Sequence, residues 1–314
     1  MPLPHRELPI DLAARAFSVE AARMRRLSRS RLSEPDLVVP FKGVRAPASA
    51  PPDTRRLVEA FVLRRPDDHI VSHTSALVTW GAPLPRHVEN QQRIHVSSLD
   101  GITPRAKRTI GHTLDPERTA IVRIGDLLLT SPATSWVLSA PLLNLEDLIA
   151  AGDFLITGTE PFDDLPPLAS LDELRTAVEL HAGARGIRRA REALESVRYG
   201  ALSRRESFSR LMVVRAGLPE PESNYTVGTP DRRWAWMVDL AHPKFRVATE
   251  YESLLHLDPE KFRRDIRKQQ DLASIGWATH RLTSDDVDPY LRTAASRAAV
   301  ARIRASLIER GWRP

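Results

Sequence analysis

The chain of 314 residues contains no cysteine. Disulfide bonds, thiolate zinc sites and cysteine nucleophiles are therefore excluded, and a reducing cytoplasm fits this composition. No apolar run approaches the roughly 18 residues that a membrane helix needs. The N-terminal stretch lacks a secretory signal pattern, and no glycine-rich phosphate loop is present. We therefore expect a cytoplasmic protein that makes no use of a membrane.

What the chain does have is arginine. The formal net charge is +6, and the stretch from His181 to Arg215 holds nine arginines against three glutamates, a difference equal to the excess of the whole chain. A local basic stretch predicts a surface for polyanions, with nucleic acid first among them. The alternative is a solvated helix face in a protein that favours arginine over lysine.

The composition of the chain and the positions of its proline and glycine residues predict two domains. Hydrophobic residues make up 42% and charged residues 27% of the chain, which is typical of globular proteins. Proline and glycine interrupt the chain at residues 157–174. We predict an α+β domain over residues 1–165, whose expected ligand is DNA or a protein partner. Residues 166–314 are predicted to contain basic helices and an α/β core over about 202–290, so the chain is α+β overall.

The core is predicted from its order of elements, which is helix, three strands, helix, strand, helix. The segments "RWAWMVDLA" and "FRVATEYES" are separated only by "HPK", which predicts an antiparallel hairpin. Strand side chains alternate between faces, so Glu250 and Glu252 share a face. Asp239 lies on the preceding strand, and Glu206 near the start of the preceding helix, so four carboxylates are expected to converge.

Two explanations fit such a cluster. The carboxylates can form structural ion pairs with Arg246, Arg264 and Arg267, although burying them in this way adds little stability. Alternatively, they can bind Mg²⁺ or Mn²⁺, since these ions prefer oxygen ligands and usually use one or two carboxylates with water and phosphate oxygens. A metal ion at this position would activate water for attack on a phosphate, beside basic helices that hold a nucleic-acid backbone.

A resemblance favours the second explanation. The matching segments are "RRESFSRLMVVRAGLPEPESNYTV", "MVDLAHPKFRVATEYES", "RRDIRKQQDLASIGW" and "HRLTSDDV". In this order they resemble the restriction-endonuclease-like fold. More narrowly, they are similar to actinobacterial proteins whose C-terminal domain resembles very-short-patch-repair endonucleases. In the first half, "SHTSALVTWGAPLP" and "LLTSPATSWVLS" resemble the antitoxin-like region of abortive-infection toxin–antitoxin systems.

The resemblance implies roles for particular residues. Asp239 and Glu250 would be the metal ligands, and Glu206 would support the metal or its waters. Glu252 occupies the position where the general signature has lysine, so the role of charge stabiliser would pass to Arg264, Arg267 or Lys268. His256 would act as a general acid or base. Ser253 replaces the glycine that usually follows the acidic pair.

Two further sets of candidate residues are the basic residues expected to contact DNA and the histidines of the first half. The residues expected to contact DNA are Arg188, Arg189, Arg204, Arg205, Arg210, Arg264, Arg267 and Lys268. The histidines of the first half do not show metal-ligand spacing, so no metal site is expected among them; they are His73, His87, His95 and His112.

Three hypotheses about function follow. The first is a metal-dependent DNA endonuclease in defence or repair. The second is a regulator of the toxin–antitoxin type that binds nucleic acid through a nuclease fold without cleaving it, suggested by the missing lysine and by Ser253. The third is a protein-interaction module whose arginines meet an acidic partner.

Overall fold

The computed structural model describes residues 7–49, 53–64, 69–159, 166–229, 234–252 and 259–314. Mixed sheets flanked by helices make the fold α+β, as the sequence predicts. Two compact units are present: residues 1–144 with 169–192, and residues 145–168 with 193–314. This division differs from the predicted single boundary near residue 165. Among the described residues, no helix combines the length and apolarity needed to cross a bilayer.

The first unit contains two sheets and several short helices. Its helices are α1 (Ile10–Ala13), α2 (Val19–Met24), α3 (Thr54–Val62), α4 (His73–Trp80), α5 (Arg86–Glu89), α6 (Pro132–Ser139) and α8 (Leu171–Leu180). Its strands are β1 (Phe17–Ser18), β2 (Leu37–Val38), β3 (Val44–Pro47), β4 (Ile70–Val71), β5 (Ile94–Ser98), β6 (Thr109–Thr113), β7 (Ile121–Ile124) and β8 (Leu127–Thr130). The helix α9 (Ile187–Ser196) runs across the last unit boundary.

The larger sheet of this unit has the order β6-β5-β4-β8-β7, and the smaller has the order β1-β3-β2. In the larger sheet, β5 pairs parallel with β6 and antiparallel with β4. Local signals mark several helix ends in this unit. Gly81 ends α4 with φ +89°, Ser131 caps α6, and Ser170 and Glu173 form a capping box at α8. Local sequence therefore sets many of the helix ends in this unit.

The second unit is built on one four-stranded sheet. Its helices are α7 (Leu145–Thr157), α10 (Arg204–Arg215), α11 (Pro259–Ser274) and α12 (Ala294–Glu309), and its strands are β9 (Glu222–Gly228), β10 (Ala235–His242), β11 (Val247–Tyr251) and β12 (Ala278–Leu282). The sheet has the order β12-β11-β10-β9. The predicted order of helix, three strands, helix, strand, helix is confirmed from α10 to α12.

Two apolar clusters hold the elements of this unit together. On one side, Met212 of α10 and Ile303 of α12 pack with Val247. In the other cluster, Leu272 of α11 packs with Ala248. Val247 and Ala248 are consecutive residues of β11, so they point to opposite faces of the sheet. The strand β11 is therefore covered on both faces, with α11 over the face that carries Ala248.

The hairpin between β10 and β11 is confirmed. His242 pairs with Val247 in antiparallel register, and a single 3₁₀ turn, Pro243–Phe245, makes the connection. Arg246 completes the turn in the left-handed region at φ +49°. After it, β11 pairs parallel with β12, and α11 makes the crossover that a parallel pair requires.

Candidate active site

Two predicted metal ligands lie on neighbouring strands of the second unit. The β10–β11 register pairs Leu240 with Thr249, so Asp239 and Glu250 are the next residues of their strands. The Asp239 carboxylate accepts the backbone N–H of Tyr251 at 2.7 Å. Residues opposite each other on an antiparallel pair have side chains on the same face. The two carboxylates also interact electrostatically, so the hairpin brings them to one place.

Lys268 of α11 supplies a cation to this pair. Its Nζ lies 2.6 Å from Oε2 of Glu250, and the two side chains are only 16% and 12% exposed. Glu250 shares its face of β11 with Ala248, which packs against Leu272, one helical turn beyond Lys268. The packing of α11 on the sheet therefore aims Lys268 at the carboxylates. Of the three basic residues considered for the role of the absent lysine, it is Lys268 that makes this contact.

Glu206 lies at the first turn of α10, as predicted. Its backbone N–H donates to the capping hydroxyl of Ser203, and its carboxylate accepts the N–H of Leu202 at 2.9 Å. Asn224 of β9 also donates to Glu206, at 3.3 Å. The register places Val238 opposite Tyr225, so Asn224 lies at the level of Asp239. These contacts give Glu206 a role in capping the start of the helix as well as a position beside the acidic pair.

Glu252 stands at the edge of the cluster. Arg281 of β12 lies 3.4 Å from its carboxylate, and both side chains are partly exposed. The structural alternative expected ion pairs with Arg246, Arg264 and Arg267. Among the described residues, the cations that pair with Glu250 and Glu252 are instead Lys268 and Arg281. Arg246 donates to the carbonyl of Ile275.

The electrostatics of the cluster favour a cation. Burial, and after it the neighbouring Glu206 carboxylate, raise the pKa of Asp239 to about 6, against the lowering effect of the Tyr251 N–H and of Lys268. Burial also raises the pKa of Glu250, which Lys268 opposes, and the pKa of Glu206. Asp239 is still mostly ionised at pH 7. A second positive charge at this position would relieve the repulsion among these carboxylates.

The donor set fits Mg²⁺ or Mn²⁺. Both ions prefer oxygen ligands, and Mg²⁺ commonly binds through one or two carboxylates with water and phosphate oxygens completing its shell. Among the described residues, the only three histidine or acidic side chains with ligand atoms within 4.8 Å of one another are in the first unit. The second unit therefore offers a pair of carboxylates, Asp239 and Glu250, rather than a closed cage.

A basic groove runs along α11. It is lined by Trp236, Glu260, Arg263, Arg264 and Arg267. The guanidinium of Arg264 lies 5.6 Å from the centre of the Trp236 ring, and the indole N–H of Trp236 donates to Asp271 at 2.8 Å. Arg264 precedes Lys268 by four residues, so both occupy one side of the helix. The exposed arginines thus continue the positive charge of Lys268 along the helix.

Three arginines of the basic stretch before this core make contacts within the protein. We correct the prediction that Arg210 contacts DNA, because its side chain is 2% exposed and is paired at 2.9 Å with the fully buried Asp153. Arg204 is paired with Asp147. Arg189 donates to the carbonyls of Ala140 and Leu143. Sequence spacing cannot show which arginines make such contacts within the protein.

Other arginines of the predicted DNA set remain accessible. Arg188 is exposed on α9 and lines a shallow depression with Arg185. Arg205 is half-buried, with its guanidinium 5.9 Å from the centre of the Tyr251 ring. Tyr251 follows Glu250 directly in β11, so its ring points to the opposite face of the sheet from that carboxylate. The predicted acid or base His256, and Ser253 with it, lie outside the described residues.

Three histidines of the first unit come together where no metal site was predicted. His73, His95 and His112 offer ligand atoms within 4.8 Å of one another. His87, on α5, is exposed and is not part of this group. The expectation of no site rested on sequence spacing alone, which does not register the parallel pairing of β5 with β6.

Comparison with known proteins places the chain in a family. No family model matches it, and no solved structure matches it. Uncharacterized protein Rv2248 of Mycobacterium tuberculosis strain H37Rv is 32% identical over 202 residues, which is 63% of this chain and 70% of the relative. Uncharacterized protein MT2308 of strain CDC 1551 matches to the same extent. The chain belongs to the family of these two mycobacterial proteins.

Proposed function

We propose that this protein is a divalent-metal-dependent DNA endonuclease that hydrolyses phosphodiester bonds, acting on cytoplasmic DNA in defence or repair. The observation that carries the proposal is the arrangement of Asp239 and Glu250 on adjacent strands, with Lys268 bonded to Glu250. Two acidic ligands beside one lysine form the general signature of the restriction-endonuclease-like fold. Here the lysine comes from the next helix, which supports a site in which Lys268 replaces the residue lost at Glu252.

The order of elements supports the same proposal. The segments that resemble this fold span α10 to β12, and they carry the sequence of helix, three strands, helix and strand around one mixed sheet. The carboxylates lie where the β10–β11 ladder ends. Fold alone does not define an activity, so the proposal depends on the side chains of this site.

Asp239 and Glu250 would hold Mg²⁺ or Mn²⁺, which supplies an activated water and neutralises charge on the phosphate when bound. Lys268 would donate to the negative charge that develops on the phosphate oxygens during attack. It lies in a half-buried position, where such a charge interaction is stronger than in bulk water. Glu206, fixed by the start of α10 and by Asn224, would hold the Asp239 side of the site in place.

Exposed arginines would hold the DNA backbone. Arg264 and Arg267 lie on the same helix as Lys268, and the groove that they line is open to solvent. Backbone contacts of this kind position the duplex and give a salt-dependent affinity without reading its sequence. Arg205 and Arg188 would add further phosphate contacts.

Cleavage by matched variants tests the proposal. Parent protein, Asp239→Asn and Glu250→Gln are each incubated with supercoiled and linear DNA in Mg²⁺ or Mn²⁺. Asp285→Asn and Glu222→Gln serve as controls, because both carboxylates are exposed in the same unit. We expect metal-dependent cleavage by the parent and both controls, and loss of at least about 100-fold in the two site variants. Equal cleavage by all five proteins would overturn the proposal.

A regulator that binds DNA without cleaving it is the second candidate. The observation in its favour is that each carboxylate of the cluster has a partner within the protein: Tyr251 for Asp239, Lys268 for Glu250, and the first turn of α10 for Glu206. Such a cluster is stable without a metal ion. DNA binding that weakens steeply with salt, together with no divalent-ion binding by calorimetry in the presence of DNA, would favour this candidate.

A further inference from the structure

The first unit contains a cluster of histidines that the proposed nuclease chemistry does not use. His73 is the first residue of α4, His95 lies on β5, and His112 lies on the edge strand β6. The parallel register pairs Ser97 with His112, and Ser97 shares a face of β5 with His95. The sheet therefore brings His95 and His112 to one face, and the turn after β4 adds His73.

The three rings are in direct contact. The centres of His73 and His112 lie 3.9 Å apart, and His95 lies 5.3 Å and 5.1 Å from them. Nδ1 of His95 and Nε2 of His112 are 2.8 Å apart, a distance at which the two nitrogens share one proton. Ligand nitrogens from all three rings lie within 4.8 Å of one another. A metal ion in place of the shared proton would draw on the same nitrogens.

Hydrogen bonds outside the cluster orient His73. The hydroxyl of Ser72 contacts Nδ1 of His73 at 2.8 Å and the hydroxyl of Ser97 at 2.6 Å. Metal-binding histidines commonly use one ring nitrogen in this way, which leaves the other for the metal. His73 also has φ +53°, a left-handed backbone that residues with a side chain seldom adopt. The contact with Ser72 therefore orients the His73 ring.

The protonation state of the cluster suits a ligand set. Burial, followed by the nearby histidines, lowers the pKa of His73 well below its ordinary value and that of His95 to about 4. Burial also lowers the pKa of His112. Each shift favours the neutral imidazole, which is the form that binds metals. His73 and His95 are buried whereas His112 is half-buried, so solvent reaches the cluster from the side of β6.

We propose that His73, His95 and His112 form a transition-metal site, with Zn²⁺ as the expected ion. Three imidazoles suit Zn²⁺, Co²⁺ or Ni²⁺, whereas Mg²⁺ and Ca²⁺ prefer oxygen ligands. Three histidines with a fourth position open to water are the arrangement found in catalytic rather than purely structural zinc sites. This site is separate in sequence and in chemistry from the carboxylates of the second unit, and it stands whether or not the protein is a nuclease.

Metal titration of the full chain tests the proposal. Protein freed of metal by chelator is titrated with Zn²⁺ by calorimetry and with Co²⁺ by visible absorption, which reports nitrogen ligands at a tetrahedral ion. The variants are His112→Gln, which changes the half-buried ligand, and His95→Gln, which changes a buried one. His87→Gln is the matched control, because His87 is exposed in the same unit. The variant Asp239→Asn distinguishes metal binding at the histidines from metal binding at the carboxylates of the second unit.

We expect one equivalent of Zn²⁺ to bind to the parent, to His87→Gln and to Asp239→Asn. Binding should weaken by about 100-fold or more in His112→Gln, since even changes outside the ligand shell weaken metal sites about 10- to 100-fold. Zn²⁺ should also raise the melting temperature of the parent but not of His112→Gln. Stoichiometric binding that survives in both triad variants, or no binding by a folded parent, would overturn the proposal and leave a buried neutral histidine cluster.

Discussion

The buried pair of Asp153 and Arg210 is expected to stabilise the second unit rather than to serve DNA binding. The Asp153 side chain is 0% exposed and accepts the N–H of Arg198 at 2.7 Å as well as the Arg210 guanidinium at 2.9 Å. Removing one partner of such a pair costs about 3–5 kcal/mol, because the other charge stays buried without compensation. In Asp153→Asn, the backbone contact survives and Glu220, 3.4 Å from Arg210, compensates in part. We therefore expect a loss at the lower end, about 3 kcal/mol.

Urea unfolding followed by tryptophan fluorescence measures this loss, since four of the six tryptophans lie in the second unit. For a unit of this size the same loss lowers the melting temperature by about 6–12 °C. The series is completed by Arg210→Met, the double variant, and Arg313→Met as an exposed control. The double variant should be about 2 kcal/mol more stable than the sum of the single changes implies.

Measuring DNA affinity in the same variants distinguishes an effect on stability from an effect on DNA binding. At a temperature where every variant is folded, Arg210→Met should bind DNA as the parent does, with the same dependence on salt, because the guanidinium does not reach the surface. A destabilisation below about 1 kcal/mol in Asp153→Asn, or a loss of DNA affinity in folded Arg210→Met, would refute the reasoning.

Three further predictions concern the same unit. Lys268→Met should lower DNA cleavage by about 100- to 1,000-fold while raising Mn²⁺ affinity, since it removes a positive charge from beside Glu250; cleavage and calorimetric assays together check this. Arg267→Gln should weaken DNA binding on all sequences and reduce the salt slope by about one, in fluorescence anisotropy against Arg313→Gln. Burial lowers the pKa of His242 from 6.5, so the unfolded state binds the proton more readily. Its stabilising effect is full above pH 6.5 and is lost as the pH falls from that value through the lower pKa of the folded state. In urea titrations at several pH values, the free energy of unfolding should depend less on pH below 6.5 in His242→Gln.

The order of elements in the core follows from the sequence because each signal there is local. The "HPK" connection and the alternation of charged and apolar residues predict the hairpin, and the hairpin by itself brings Asp239 near Glu250. The contact between Lys268 and Glu250 could not be predicted in the same way. Lys268 lies 18 residues after Glu250, and only the packing of α11 over β11 decides which of the basic residues of that helix meets the carboxylates.

What sequence reasoning missed depends on contacts between distant segments. Asp153 and Arg210 are 57 residues apart. Nothing in the sequence around either residue indicates that it is buried against an opposite charge. The histidine cluster requires the parallel pairing of β5 with β6, which places His95 and His112 together across 17 residues. One local signal was available: a histidine and a serine alternate on β5, and a second serine and histidine, Ser72 and His73, stand at the start of α4. Two such pairs on facing elements would have suggested a common polar site.

The alternation of the two units along the chain has a consequence for synthesis and for dissection. α7 is made before α10, and the carboxylates that it buries, Glu146, Asp147 and Asp153, meet their arginines only when residues 204–215 have been made. The first unit likewise needs residues 169–192 before it is complete. A nascent chain therefore carries these acidic groups without their arginine partners while it is being made, and a fragment ending at residue 165 never acquires those arginines. Neither unit can be isolated by a single cut of the chain. In a series of deletions, a loss of activity would therefore reflect incomplete folding of a unit as readily as the loss of a functional residue.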